Sequence, residues 1–379
     1  MGGGRAGGTT RHLTPVPAAD LSLDDVRAAL AGTSPLAVLP EGPPAVVAAA
    51  RAALRPEEPL EPGADLVVVT SGSTGSGRAV LLPAAALEAS AAATSARLGG
   101  PGSWLLALPV SAVAGLQVLC RSVLAGTRPE TLGKGEPLSA AVGRMPAGRR
   151  YTSLVPTQLR RYLEEEPAAL RAFDAILVGG AATDPALLAR AREDGVTVVT
   201  TYGMTETAGG CVYDGRPLDG VRVRVTEGVE LAGPTLAIGY RLDPAGTEAA
   251  FADGWFRTRD AGTLDADGRL TVTGRLDEVV ISGGVNVAPA AVEAVLREHP
   301  DVVDAVVFGR PDATWGQRVV AAVVPVAGAR PGLHALRGWV AERLGPAAAP
   351  RQLHLLEALP LLHTGKPDRR AVAALPPED

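Results

Sequence analysis

Ten residues, Thr70-Ser71-Gly72-Ser73-Thr74-Gly75-Ser76-Gly77-Arg78-Ala79, interleave hydroxyls and glycines directly after the apolar run Leu66-Val67-Val68-Val69. These types in this order suit an anion. Glycines let the backbone turn tightly and bring its N–H groups close to a phosphate. Ser and Thr hydroxyls add donors for phosphate oxygens. The segment therefore reads as a strand ending in a phosphate-binding loop. Gly72 and Gly77 have the spacing of a Walker A loop, but Arg78 and Ala79 follow where that loop needs Lys and then Ser or Thr. The residues for the terminal phosphates and for magnesium are both missing, which disfavours a P-loop NTPase.

Further polar clusters follow in order: Gly179-Gly180, Thr201-Tyr202-Gly203-Met204-Thr205-Glu206, Trp255-Phe256-Arg257-Thr258-Arg259-Asp260 and Gly274-Arg275-Leu276-Asp277-Glu278. After them come Ile281-Ser282-Gly283-Gly284-Val285-Asn286 and, near the end, His363-Thr364-Gly365-Lys366 with Arg369.

The elements that must position these residues alternate. Helical patterns fall at Leu23 to Leu30 and Ala45 to Leu54, then strand Leu66 to Val69, an Ala-rich helix Leu81 to Leu98, strand Trp104 to Leu108 and helix Gly115 to Leu124. Strand Tyr151 to Val155, helix Leu159 to Leu163, strand Ala175 to Val178, helix Pro185 to Glu193 and strand Val196 to Thr200 continue the pattern. Such alternation predicts an α/β domain with a largely parallel sheet, whose ligands bind beyond the carboxyl ends of strands. From Gly220 the texture changes to short antiparallel strands, at Arg222 to Val225, Leu231 to Tyr240 and Arg269 to Thr273. A compact last region holds helices at Ala290 to His299 and His334 to Leu344, and strands at Val302 to Phe308 and Arg318 to Pro325. The expected fold class is α/β: a large N-terminal domain (1–276) with mixed and parallel sheets plus a β-rich subdomain, then a small mobile α+β domain (277–379).

Composition narrows the function. The 379 residues are 46% hydrophobic and 20% charged, which supplies ample core, and the net charge of −5 points to no nucleic-acid partner. Cys120 and Cys211 stand far apart in small or apolar surroundings, so no disulfide framework is expected and a reducing cytoplasm fits. The five histidines form no zinc-ligand spacing, no apolar run is long enough to span a membrane, and Met1-Gly2-Gly3-Gly4-Arg5 lacks the apolar stretch of a signal peptide.

Taken in order, the motifs TSGSTG, Gly-Gly, YGMTE, WFRTRD, GRLDEVVISGGVNVAP and HTGK resemble those of the acyl-adenylate-forming superfamily from about residue 65 onward. With LPVSAVAGLQVLCRS after the second strand, the chain looks most like the o-succinylbenzoate–CoA ligases of menaquinone biosynthesis, actinobacterial type. The resemblance implies ATP-dependent joining of a carboxylic acid to coenzyme A through an acyl-adenylate, with ATP, Mg²⁺ and CoA. Ligases for other aryl or short acyl acids, and stand-alone adenylation proteins that load a carrier protein, are the alternatives.

It also implies roles. Thr70, Ser71, Gly72, Ser73, Thr74 and Gly75 would cradle the β- and γ-phosphates, with Arg78 as the cation where the family often has Lys. Glu206 would hold Mg²⁺, which takes carboxylate and phosphate oxygens, and Thr205 would donate to the α-phosphate. Tyr202 would stack on adenine against Gly179, Gly180 and Ala181, with Gly203 also in the nucleotide site. Asp260 would accept both ribose hydroxyls, helped by Arg275. Lys366 would offset charge in adenylation. Asp277 would be the hinge, and Gly283 and Gly284 would face the pantetheine of CoA. Ser111, Gln117, Arg121 and Met204 are the expected acid-pocket residues, with Arg121 for the second carboxylate of the substrate. Ala112 departs from the ring the family often carries as a gate. Partners are thus a small-molecule acid, ATP and CoA, with no nucleic acid, no membrane span and a homodimer left open.

Overall fold

A computed structural model of the protein describes residues 11–70, 77–362 and 365–376. The chain forms two compact units. The first runs to Gly180 and takes in Ala189–Arg222 and Leu231–Phe256. The second comprises Ala181–Leu188, Val223–Glu230 and the chain from Arg257 onward.

In the first unit, a five-stranded sheet places Thr14–Pro17, Leu36–Leu39 and Leu66–Thr70 parallel, then Arg78–Leu82 and Gly239–Tyr240 antiparallel. Leu39, Leu54, Val67 and Leu81 meet in its core, each fully buried side chain contributing on the order of 1.5–3 kcal/mol. The expected helix from Leu81 begins only at Ala84, because Leu82 precedes Pro83. A residue before proline is pushed to extended backbone, so Arg78–Leu82 is a strand and Ala84–Arg97 the helix.

A seven-stranded sheet carries the rest of the unit. Glu130–Thr131, Ser103–Leu106, Arg150–Leu154, Ala175–Val178 and Val198–Met204 are parallel, as the alternation predicts. Gly209–Tyr213 then pairs antiparallel with Val198–Met204, so that the strand runs on past the expected end at Thr200 and Tyr202 is a strand residue opposite Val212. The helix Val113–Leu124 buries Gly115 to Ser122 and packs on Ala84–Arg97. Leu231 to Tyr240 is not one strand. Val229–Ala232 ends before Gly233, at φ +138°, and Pro234, and Gly239–Tyr240 starts afresh.

In the second unit, Asp260–Leu264 and Leu270–Arg275 form an antiparallel pair with Asp260 opposite Arg275. A mixed sheet joins Val285–Val287, Val280–Ser282, Gly316–Pro325 and Val302–Asp312, with Gln352–Leu355 parallel to Gly316–Pro325. Alternate residues of a strand face opposite sides, and the apolar runs exploit both. Ala305, Val307, Val319 and Ala321 pack with Val292, Leu296, Leu336 and Val340 of helices Pro289–Arg297 and Leu333–Leu344. Val306 and Ala322, one register step away, pack with Leu359 and Val372 from the chain's last stretch. That second face anchors both ends of the segment containing Lys366. Among the described residues, no helix is long and apolar enough to cross a membrane.

Candidate active site

In the first unit, Thr70 and Arg78 stand opposite each other where the strand pair leads into the phosphate-loop sequence, and the Thr70 hydroxyl donates to the Arg78 carbonyl at 3.3 Å. Ser71, Gly72, Ser73, Thr74 and Gly75 lie outside the described residues. The Arg78 guanidinium sits over the ring of Tyr240, 4.8 Å from its centre. The Tyr240 hydroxyl donates to Glu206 Oε1 at 3.0 Å. Burial, and then the charge of Glu206, push the Tyr240 phenol well above its ordinary value, so it stays a donor.

The backbone around Tyr240 is clamped. Its N–H donates to Thr247 Oγ1 at 2.9 Å. The neighbouring Arg241 guanidinium donates to the carbonyls of Leu54, Arg55, Glu58 and Pro59 and to Glu61 Oε2.

The Thr201 to Glu206 segment crosses two tight points. At Gly179, a Cβ would come within 2.2 Å of Thr201 Oγ1. Gly203 has φ +158°, and a Cβ there would meet the Gly209 carbonyl at 2.2 Å. Glycine is required at both. Gly180, at φ +82°, follows. Ala181 begins a segment that belongs to the second unit. Beyond Met204, Thr205–Thr207 make one 3₁₀ turn, Thr205 is buried, and the Glu206 carbonyl accepts from Ala237 N at 2.8 Å.

Gln117 ties the helix Val113–Leu124 to this turn, donating from Nε2 to the Ala208 carbonyl at 2.7 Å. One turn on, Arg121 is 7% exposed. It stacks over Trp104 at 4.7 Å and donates to Thr94 Oγ1 at 3.4 Å, with Tyr213 close by. Its Nε has no hydrogen-bond partner, and among the described residues no carboxylate pairs with it. Burial pulls its pKa down, partly offset by Tyr213. Ser111 is buried, while Met204 and Ala112 are half-buried.

In the second unit, Asp260 is buried and Arg275 reaches it from the facing strand at 3.4 Å. The same guanidinium grips Asp277 with two hydrogen bonds, of 2.9 and 3.0 Å. The bonds to Asp277 raise the Arg275 pKa. Burial would raise the Asp277 carboxyl, but Arg275 outweighs it and holds it below the usual range. Gly283 N donates to the Trp315 carbonyl at 2.9 Å, and Gly284 follows at φ +79°. The Lys366 backbone is tied to residues just before it in the chain. The Lys366 carbonyl accepts from Leu362 N at 2.8 Å, and Leu361 bridges Pro367. Arg369 then grips buried Glu293 with bonds of 2.7 and 2.9 Å.

Residues 16–244 match the AMP-binding enzyme family, and residues 291–366 match the AMP-binding enzyme C-terminal domain. The chain belongs to the AMP-binding enzyme family. A probable 2-succinylbenzoate–CoA ligase of Mycobacterium tuberculosis is 49% identical over 332 residues, which are 84% of this chain and 86% of that one. The o-succinylbenzoate CoA synthetase of Bacillus subtilis has been solved with the acyl-adenylate intermediate OSB-AMP. It is 26% identical, with a TM-score of 0.77 over 97% of this chain and 84% of that chain. The same enzyme has been solved with ATP and a magnesium ion, at a TM-score of 0.74. An amide bond synthetase from Marinactinospora thermotolerans has a TM-score of 0.81 at 26% identity, covering 97% of this chain and 90% of that chain.

This AMP-binding enzyme thus brings Arg78 and Glu206 together through Tyr240, and Gln117 to the Thr205–Thr207 turn. It brings Asp260, Arg275 and Asp277 together through one guanidinium. Its donor set fits a magnesium ion that arrives with ATP. Among the described residues no three His, Cys, Asp or Glu form a metal cluster. A hard cation that keeps its waters and binds substrate phosphates needs only one or two carboxylates, a demand that Glu206 would meet.

Tyr240 and Arg241 were not legible in the sequence, since they sit in Gly239-Tyr240-Arg241-Leu242 with no periodicity to mark them. Lys366, in contrast, carries a signal in its residue type. Only Lys134 and Lys366 are lysine among the 36 Lys and Arg residues. A chain that uses arginine almost everywhere, Arg78 included, keeps a compact ammonium there, and the two are not interchangeable.

Proposed function

We propose that this AMP-binding enzyme activates o-succinylbenzoate with ATP and transfers the acyl group to coenzyme A, giving o-succinylbenzoyl-CoA for menaquinone biosynthesis. The observation that carries the choice of acid is Arg121. A buried guanidinium without a carboxylate partner is costly unless an anion meets it. o-Succinylbenzoate brings two carboxylates, of which only the succinyl one reacts, and the benzoate gives Arg121 its counter-charge. The similarity to 2-succinylbenzoate–CoA ligases over most of the chain supports the same reading.

In this reading the succinyl carboxylate attacks the α-phosphorus of ATP, the bond to pyrophosphate breaks, and the CoA thiol then displaces AMP from the acyl-adenylate. Two anions must meet in the first step, so fixed donors and cations act where charge develops. Thr70 and Arg78 serve the phosphates, Thr205 the α-phosphate and Lys366 the developing charge. Tyr202 with Gly179, Gly180 and Ala181 takes the adenine, and Asp260 with Arg275 the ribose. Ser111, Gln117 and Met204 line the acid pocket. Gly283 and Gly284 serve the pantetheine arm, and Asp277 is the pivot between the half-reactions. Glu206 would hold magnesium, which supplies charge neutralisation on the phosphates. The enzyme works in the cytoplasm, where ATP and CoA are found.

The test is exchange of labelled pyrophosphate into ATP over a panel of acids, followed by addition of CoA. Exchange confined to o-succinylbenzoate and thioester on adding CoA is expected. Exchange with another acid in preference, or no thioester, overturns the assignment.

A further inference from the structure

The Tyr240 side chain belongs to none of the recognised motifs, yet it touches two residues that do. Its hydroxyl reaches Glu206, 34 residues earlier in the chain, and its ring face carries the Arg78 guanidinium. It is 5% exposed, so the ring cannot swing away, and its edge packs on Phe251 with ring centres 5.8 Å apart. The Arg241 clamp and the Thr247 bond fix its backbone. A glutamate has rotamer freedom to lose on binding a cation. A phenol that holds one carboxylate oxygen removes that freedom before the ligand arrives. A guanidinium stacked on the same ring is likewise held at the start of the strand Arg78–Leu82, where a free side chain would sample water.

We propose that Tyr240 is a positioning residue that presets Glu206 for Mg²⁺ through its hydroxyl and Arg78 for the ATP phosphates through its ring face. The inference rests on the ATP-using function assigned above. It makes two separable demands. The hydroxyl acts mainly on metal-dependent affinity, through Glu206, although the Arg78 guanidinium also lies within its reach. The ring acts on ATP affinity even without metal, and only through Arg78.

Calorimetric titration with ATP separates them, with Mg²⁺ and with EDTA, in the absence of acid. Tyr240→Phe keeps the ring and its packing. It should weaken Mg·ATP binding about tenfold, as loss of an outer partner of a metal ligand does, and leave metal-free ATP binding within about twofold of wild type. Tyr240→Leu should weaken both, and adding Arg78→Ala to it should cost little more, whereas Arg78→Ala alone costs affinity in the presence of Tyr240. If Tyr240→Leu fails to fold, Tyr240→Phe alone decides the hydroxyl's role. Tyr240→Phe with wild-type Mg·ATP affinity, or with equal losses in Mg²⁺ and EDTA, overturns the proposal. A wild-type protein that binds no ATP under either condition would instead sink the assigned function.

Discussion

The Arg121 guanidinium lies 4.7 Å from the centre of the Trp104 ring, buried, with hydroxyls and an aromatic face around it and no carboxylate among the described residues. A cation in that setting is ready for an anionic ligand. Arg121→Ala should raise the KM for o-succinylbenzoate by about ten- to a hundredfold, the loss of a charge-assisted hydrogen bond, and leave the KM for ATP within about twofold. An analogue lacking the benzoate carboxylate should not respond to the substitution. Equal changes in both KM values would remove Arg121 from the pocket.

Glu206→Gln keeps the size of the side chain and the acceptor for Tyr240 but removes the charge. Adenylation should slow by at least about tenfold, roughly 1.4 kcal/mol, with the deficit largest at limiting magnesium. Pyrophosphate exchange measured across a magnesium titration checks this. A curve that overlays wild type would show that another group holds the metal.

Lys366 should act only while the carboxylate attacks ATP, so its loss should lower kcat for that step and spare the next. Lys366→Ala is expected to be nearly inactive from acid plus ATP. Given synthetic acyl-adenylate and CoA, it should form thioester at close to the wild-type rate. Lys366→Arg should not restore adenylation, because a guanidinium fork is not an ammonium point charge. Equal loss in both half-reactions would make Lys366 a CoA or structural residue.

Burial pushes the thiols of both Cys120 and Cys211 up to about 12, far from the thiolate range in which cysteine reacts. Neither should react with a thiol reagent at pH 8 in the folded protein, and both should react fully in denaturant. A rapid native-state reaction at either position would show that the surrounding core opens.

Legibility differed from element to element. The helix Pro185–Glu193 and the strand Ala175–Val178 could be read to the residue, because proline at a helix start and a short apolar run are local signals. The start of the helix at Ala84 could not, since Pro83 overrode a periodicity that ran through Leu81 and Leu82. The local strand pattern stops at Thr200, short of Tyr202, because the strand extends only by pairing with Gly209–Tyr213, which carries no strong pattern of its own.

The sequence by itself determined the family: its glycine, hydroxyl, carboxylate and lysine motifs stand in the order that resembles the acyl-adenylate-forming enzymes, and that resemblance implies nucleotide-dependent activation of a carboxylate. Only the tertiary structure decided how they are held. The antiparallel return after the phosphate-loop sequence brings Arg78 onto Tyr240, and Tyr240 onto Glu206. Gln117 meets Ala208 from 91 residues away. Such contacts depend on strand register and helix packing, which are properties of the whole core, so no local stretch of the chain encodes them.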